Sequence, residues 1–247
     1  MARKKRTERL FSLEDPKSIV SEAFRTLRTN IQYANIDKDI KSITVTSPSQ
    51  REGKSTVSAN LAFSLAESGK KTLIVDCDMR KPRLHKLFGV TNLDGLTRYL
   101  MGEIEGEEGF KKVKGVSSLD VLTSGPIPPN PAELLGSNRM KEFLESLEES
   151  YDYIILDSPP IGLVTDSAII STISDGTILV LEVGQTQTEV ANHATELLNQ
   201  VNAKILGVVL NKIPVKGNQY YNYKYYQYNQ YYGEELDRRD RKKRRNR

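Results

Sequence analysis

A single cysteine, Cys77, occurs in the 247 residues. No internal disulfide can form, and a reducing cytoplasm is the expected setting. No apolar stretch approaches the roughly 18–20 residues that cross a bilayer. The first residues are basic (Arg3, Lys4, Lys5, Arg6), but no apolar segment follows them, so a secretory signal is not expected. Histidine is scarce: His85 and His193 are read as ordinary surface residues, and Cys77 as a packing residue without chemistry. What remains, at 38% hydrophobic and 28% charged residues, suits one large α/β domain with its own core.

Charge is unevenly placed. Residues 238–247 carry a net +7 and residues 1–9 a net +4, in a chain of net +4, so the body between them carries −7. Basic ends are read first as solvated, and second as capable of weak attraction to an anionic membrane. Nucleic acid is not expected as a partner. The tyrosine run near the C-terminus holds one lysine, Lys224, and the basic run after it holds no aromatic residue. Stacking on bases needs the two interleaved.

Hydrophobic periodicity sets out the elements. Residues 18–34 predict an amphipathic helix, with Val20, Ala23, Phe24, Leu27, Ile31 and Ala34 on one side and Glu22, Arg25 and Arg28 on an adjoining stripe. Ser42–Ser47 reads as a strand, Lys54–Ser68 as a helix closed by Gly69, and Thr72–Val75 as a second strand ending at Asp76. Residues 90–118 are weakly patterned. Leu119–Leu122 is a possible strand, Gly125–Pro131 a proline-rich loop, and Pro131 to about Ser150 a helix. Strand Tyr153–Leu156, helix Thr165–Ile173, strand Thr177–Val183, helix Glu189–Val201 and strand Ile205–Leu210 follow. Alternating strands and helices predict a mostly parallel sheet with helices on both faces. The near-continuous apolar strands fit burial on both sides. Beyond residue 214 the pattern collapses. Tyr220, Tyr221, Tyr223, Tyr225, Tyr226, Tyr228, Tyr231 and Tyr232, eight of twelve tyrosines, are spaced by Asn, Gln and Lys. With no aliphatic residues to bury, the segment is expected to be a disordered tail.

Three segments converge on one chemistry. SQREGKST (Ser49–Thr56) places Gly53, Lys54, Ser55 and Thr56 between a strand and a helix. There, backbone N–H groups and a helix N-terminus can hold phosphate. Lys54 offers a cation to the β- and γ-phosphates, Ser55 a hydroxyl to Mg²⁺, and Thr56 support for the α-phosphate. VDCDMR places Asp76 and Asp78 at the end of the second strand, and IILDSPP places Asp157 at the end of another. In a parallel sheet these carboxylates reach the edge where ligands bind and can order Mg²⁺. The loop departs from the full phosphate-loop pattern at Pro48, which stands where glycine or alanine is usual five residues before Gly53.

On these residues the chain resembles the bacterial tyrosine kinases, in the stand-alone form found in capsule and exopolysaccharide systems. SEAFRTLRTNI (Ser21–Ile31) resembles that family's Glu-x-x-Arg-x-x-Arg helix. EGKST resembles its Walker A core, LIVDCDMRKP (Leu73–Pro82) its Walker A′ motif, IILDSPP its Walker B motif, and the tyrosine run its autophosphorylation cluster. The chain departs from that family at Arg51, where the loop often has glycine, and arginine lacks glycine's freedom at positive φ. The resemblance implies a P-loop kinase domain over 18–213, between a basic arm (1–17) and a flexible tail (214–247). It implies ATP and Mg²⁺ as cofactors, with Ser55, Asp76 and Asp157 about the metal, Asp78 ordering the metal and its waters, and Asp76 as base. Asn211 resembles a residue that contacts adenine. Glu22, Arg25 and Arg28 would form the subunit contacts of a ring, an octamer by resemblance, that presents one tail to the neighbouring site. The implied partners are a membrane-embedded activator (a polysaccharide co-polymerase) and a protein-tyrosine phosphatase. The implied location is cytoplasmic, peripheral to the plasma membrane through the activator. The rival reading is a positioning or partition-type switch ATPase of the same fold. It wants a lysine where Ser49 stands, and it leaves the tyrosine cluster without a role.

Overall fold

The computed structural model describes residues 10–34 and 40–214. The tyrosine cluster and both basic ends lie outside the described residues. The described residues up to Lys212 form one compact unit, the first of two.

Within the first unit the elements run in order. They are α1 (Phe11–Glu14), α2 (Ile19–Tyr33), β1 (Ser42–Thr46), α3 (Lys54–Glu67), β2 (Thr72–Asp76), α4 (Leu84–Phe88), α5 (Leu96–Met101), β3 (Phe110–Val113) and β4 (Val116–Leu122). Then come α6 (Pro131–Leu135), α7 (Asn138–Glu148), β5 (Tyr153–Asp157), α8 (Asp166–Ile173), β6 (Gly176–Glu182), α9 (Thr188–Gln200) and β7 (Ile205–Asn211). The strands form one sheet in the order β3-β4-β2-β5-β1-β6-β7. Every pair is parallel except β3 with β4. No helix among the described residues is long and apolar enough to cross a membrane.

The central strands are buried along their whole length. Their alternate side chains feed two cores. Ile43, Val45, Ile74 and Ile155 pack under α2 and α3 with Phe24, Leu61 and Leu65. Leu73, Val75, Ile154 and Leu156 pack on the other side with Leu96, Leu135, Phe143 and Ile170 from α5 to α8. Each fully buried Leu or Ile contributes about 1.5–3 kcal/mol. A two-sided core of this kind explains the continuous apolar strands of the sequence.

Ser18 caps α2 by accepting the Ser21 N–H at 3.2 Å. Gly69, at φ 85, closes α3 as expected, its N–H donating to the Ala66 carbonyl. The helix expected from Pro131 to Ser150 is two. Gly136 ends α6, and Ser137 turns to an extended conformation and caps α7 by accepting the Met140 N–H. The weakly patterned segment contains α5 and β3, and α4 lies just before it. These elements span four to six residues each, too few to show a period. Residues 10–17, within the expected basic arm, include α1, and Leu10 is buried in the core. His85 is half-buried rather than on the open surface.

Parallel pairing gathers the ends of β1, β2, β5, β6 and β7 along one edge. Asp76 and Asp157 are direct register partners on neighbouring strands.

Candidate active site

The loop after β1 folds back on itself before it enters α3. The Ser47 hydroxyl donates to the Ser49 carbonyl, and Glu52 Oε2 accepts the Ser49 N–H. Two residues are left-handed: Arg51 at φ 67 and Gly53 at φ 96. For arginine this conformation costs about 1–2 kcal/mol. The concern raised by the sequence is therefore met by strain, not by a different turn. Gly53 precedes α3 without a side-chain cap. The first-turn N–H groups, Lys54, Ser55 and Thr56 among them, have no carbonyl four residues back inside the helix. Their direction suits an anion. A Cβ on Gly53 would lie 2.1 Å from Asn211 Nδ2. Gly53→Ala should weaken nucleotide binding at least about tenfold, from strain plus overlap. Titration with a fluorescent nucleotide checks this, and an unchanged affinity would show that the loop does not need this geometry.

Lys54 reaches across to β2. Its Nζ lies 3.0 Å from Asp78 Oδ2, and both side chains are nearly buried. Burial works to lower the Lys54 pKa, but Asp157, Asp78 and Asp76 together outweigh it and raise it. Asp78 Oδ1 accepts the Lys81 N–H at 2.9 Å. Asp76 is fully buried at the end of β2. Its Oδ2 accepts the N–H groups of Arg83 and Leu84, each at 2.9 Å, and its Oδ1 accepts the Asp78 N–H at 3.2 Å. Burial, and next the charge of Asp157, push its pKa up to about 8 against the pull of those N–H groups. Asp157 is also raised, again by burial first, while Lys54 and the Ser55 and Ser58 hydroxyls draw it down. Its Oδ1 accepts the Ser58 hydroxyl at 3.1 Å, and its Oδ2 is buried with no hydrogen-bond partner.

That orphaned oxygen beside a hydroxyl is a fit for Mg²⁺, a hard cation that takes oxygen ligands and keeps several waters. Ser55 and Asp157 would hold it. No group of three or more acidic, His or Cys side chains among the described residues is placed to hold a metal. The rest of the shell would be phosphate oxygens and water, as phosphoryl transfer requires.

The structure brings together Gly53, Lys54, Ser55, Asp76, Asp78 and Asp157. Asn211 also arrives there, but its Nδ2 donates to the Glu52 carbonyl at 2.8 Å. Glu22, Arg25 and Arg28 lie on α2. Arg25 bonds Glu22 at 3.1 Å and the Pro16 carbonyl, and it sits 3.6 Å from Glu67 of α3. Arg28 donates to the Ser64 carbonyl at 2.6 Å. All three distances join parts of one chain. The eight tyrosines between 220 and 232, expected as phosphoacceptors, fall outside the described residues. Cys77 is buried, as expected of a packing residue.

The sequence reading missed several residues. Arg80 makes a two-pronged pair with Asp166, at 2.9 and 3.0 Å. Asp166 is fully buried at the start of α8, so Walker A′ is tied to the segment following Walker B. Glu52, Thr186 and Lys212 form a second connection at the loop. Only Lys212 carried a signal, as the neighbour of Asn211.

Residues 40–211 match the AAA domain family. Tyrosine-protein kinase YwqD of Bacillus subtilis is 43% identical over 214 residues, covering 87% of this chain and 90% of that protein. Tyrosine-protein kinase CpsD of Streptococcus pneumoniae serotype 4 is 40% identical over 200 residues, covering 81% and 87%. Among solved structures, the chimerical protein CapA2B2 superposes with a TM-score of 0.80 at 40% identity, covering 83% of this chain and 90% of that one. The kinase domain of Escherichia coli tyrosine kinase ETK gives 0.78 at 31%, covering 84% and 83%. The septum site-determining protein MinD of Pyrococcus horikoshii, complexed with Mg-ADP, is more distant. Its TM-score is 0.59 at 26% identity, covering 69% of each chain. The switch-ATPase reading thus rests on the weaker likeness. A seven-stranded phosphate-loop fold, three carboxylates around Lys54, and kinase relatives that span most of the chain agree: this protein belongs to the bacterial tyrosine-protein kinases.

Proposed function

We propose that this kinase uses ATP and Mg²⁺ to phosphorylate Tyr220–Tyr232 of its own chain, in trans within a ring homo-oligomer, and thereby regulates capsular or extracellular polysaccharide synthesis. The observation that carries the reaction is Asp76, a fully buried carboxylate fixed by three N–H groups at the end of β2, in register with Asp157 and close to Lys54. A tyrosine phenol has a pKa of about 10. Burial, and next the charge of Asp157, raise the Asp76 pKa, which narrows its distance from the phenol. The phenol oxygen attacks the γ-phosphorus, the bond to the ADP oxygen breaks, and the proton passes to Asp76. Lys54 and the first-turn amides of α3 hold the phosphates. Bound Mg²⁺ would neutralise charge on them, with Ser55 and Asp157 as its protein contacts and Asp78 ordering its waters. Asn211 borders the loop and is assigned to the adenine side.

Glu22 is half exposed, with 52% of its side chain accessible, and it is the member of the α2 trio most open to a neighbouring subunit. A tail tethered beside a ring of sites gives its tyrosines a high effective concentration. A membrane-embedded activator would complete the active state and hold the kinase at the membrane. A phosphatase would reverse the modification, and the basic tail would add weak attraction to anionic lipid.

Incubation with ATP and Mg²⁺, read by mass spectrometry, tests this reading. Wild type should carry phosphate on Tyr220–Tyr232 and Asp157→Asn should not. An active chain truncated after Gly217, mixed with full-length Asp157→Asn, should phosphorylate the inactive chain's tail. An unmodified tail in every mixture, with the cytoplasmic end of a membrane activator added, would overturn the choice of acceptor. Native mass analysis of the full chain reads the ring.

A further inference from the structure

The ends of β6 and β7 grip the phosphate loop from the side opposite Asp78. Lys212 Nζ donates to the carbonyl of Arg51 at 2.5 Å and pairs with Glu182 Oε2 at 2.6 Å. Next to it, Asn211 Nδ2 donates to the carbonyl of Glu52. The Glu52 side chain, only 4% exposed, accepts the Thr186 hydroxyl at 2.7 Å. Thr186 in turn accepts the Glu182 N–H at 2.9 Å. The contacts from Lys212, Asn211 and Thr186 land on Arg51 and Glu52, the two loop residues just before Gly53.

The position of these contacts is informative. Arg51 holds φ 67, a conformation that glycine takes freely and arginine does not. Lys212 is itself left-handed at φ 57. A strained residue persists only where its surroundings over-determine it, and such residues cluster where geometry matters to function. Here a cation donates to the strained residue's own carbonyl, and the cation is anchored by a carboxylate from a different strand.

We propose that Lys212, seconded by Thr186, is a positioning residue for phosphoryl transfer. It holds the loop in its left-handed turn at Arg51, so that the N–H groups that follow point at the phosphates. The contact replaces what a glycine at position 51 would supply without help. The proposal rests on nucleotide binding at this loop.

The test is titration of the full chain with a fluorescent ATP analogue and Mg²⁺. Lys212→Met should weaken binding about tenfold, the equivalent of one charge-assisted hydrogen bond of about 1.4 kcal/mol. Lys212→Arg should recover part of the loss. In the kinase assay the change should fall on KM for ATP rather than on kcat. The decisive variant is Lys212→Met combined with Arg51→Gly. Glycine needs no support at positive φ, so the pair should bind within about twofold of Arg51→Gly alone. Thr186→Val, which leaves the Glu52 carboxylate without its hydroxyl donor, should weaken binding independently. The nucleotide-free thermal midpoints of the Lys212 variants should stay within about 2 °C of wild type, as for other partly exposed positions. Equal binding by wild type and Lys212→Met would overturn the proposal alone. So would an undiminished loss in the Arg51→Gly background. No binding by wild type would overturn the nucleotide site as well.

Discussion

Asp157→Asn should raise the thermal midpoint of the nucleotide-free protein by roughly 3–6 °C at pH 8, for about 1.5 kcal/mol, while lowering kinase activity at least about 10³-fold. The two effects share one cause. Asp76 and Asp157 face each other on adjacent strands, both fully buried, and Asp78 is close by. Burial raises the Asp157 pKa even though Lys54, Ser55 and Ser58 pull it down. The folded site therefore disfavours the charged form on balance. A carboxylate raised in the folded state binds protons more tightly there than in the unfolded chain. Stability then falls as pH climbs from the ordinary carboxylate range through the folded pKa, and levels off above it. For Asp76 that window runs from about 4 to about 8. Asparagine at 157 keeps an oxygen for the Ser58 hydroxyl and removes one of the charges that push Asp76 up. A relief of about one pKa unit is worth about 1.4 kcal/mol. The gain should shrink as pH falls towards the ordinary carboxylate range, where the folded-state carboxyls take up protons and lose the charge whose removal relieves the site. Activity falls because the orphaned Oδ2, the oxygen suited to Mg²⁺, is gone. Thermal melts between pH 4 and 9 measure the first effect and tyrosine phosphorylation the second. A lower midpoint at pH 8, or a gain that ignores pH, would contradict this account.

Lys54→Met has the opposite sign in stability. Its ammonium sits 3.0 Å from Asp78 and is drawn upward in pKa by Asp157, Asp78 and Asp76, in that order. Removing it leaves those carboxylates without their shared counter-charge. Breaking a buried pair costs about 3–5 kcal/mol. The lower end is expected here, because the carboxylates can take up protons instead. At pH 8 the midpoint should fall by roughly 6–12 °C, and at pH 5 by much less. Adding Asp157→Asn to Lys54→Met should recover a large part of the loss, since the two substitutions remove opposite charges in one network. Transfer to tyrosine should be lost in either background. A practical consequence follows for any functional assay: Asp157→Asn is the better folded, inactive control. A Lys54→Met protein as stable as wild type at pH 8 would mean that the carboxylates are already neutral without the lysine.

Much of this site was legible in the sequence because its chemistry is local. Lys54 and Ser55 follow Gly53 directly at the start of a helix, and Asp76, Asp78 and Asp157 end apolar strands. Strand ends in a parallel sheet share an edge, so three separate segments could be joined before any coordinate was known. The long elements were legible for the same reason, since a period needs several turns to show itself. The short elements α4, α5 and β3 were not, and the break at Gly136–Ser137 was hidden inside a continuous helical pattern.

The sequence by itself determined the phosphate loop, the carboxylates at the strand ends, and the order of the longer strands and helices, because each depends on neighbours within a few residues. Only the tertiary structure decided how those groups are charged and held. Asp76 rises to a pKa of about 8 because burial and a register partner 81 residues away act on it together. Arg51 holds its left-handed turn where Lys212, which follows β7, donates to its carbonyl. Arg80, just after β2, pairs with Asp166 on α8. Burial, register and charge are sums over residues far apart in the chain, and a linear pattern carries no record of them.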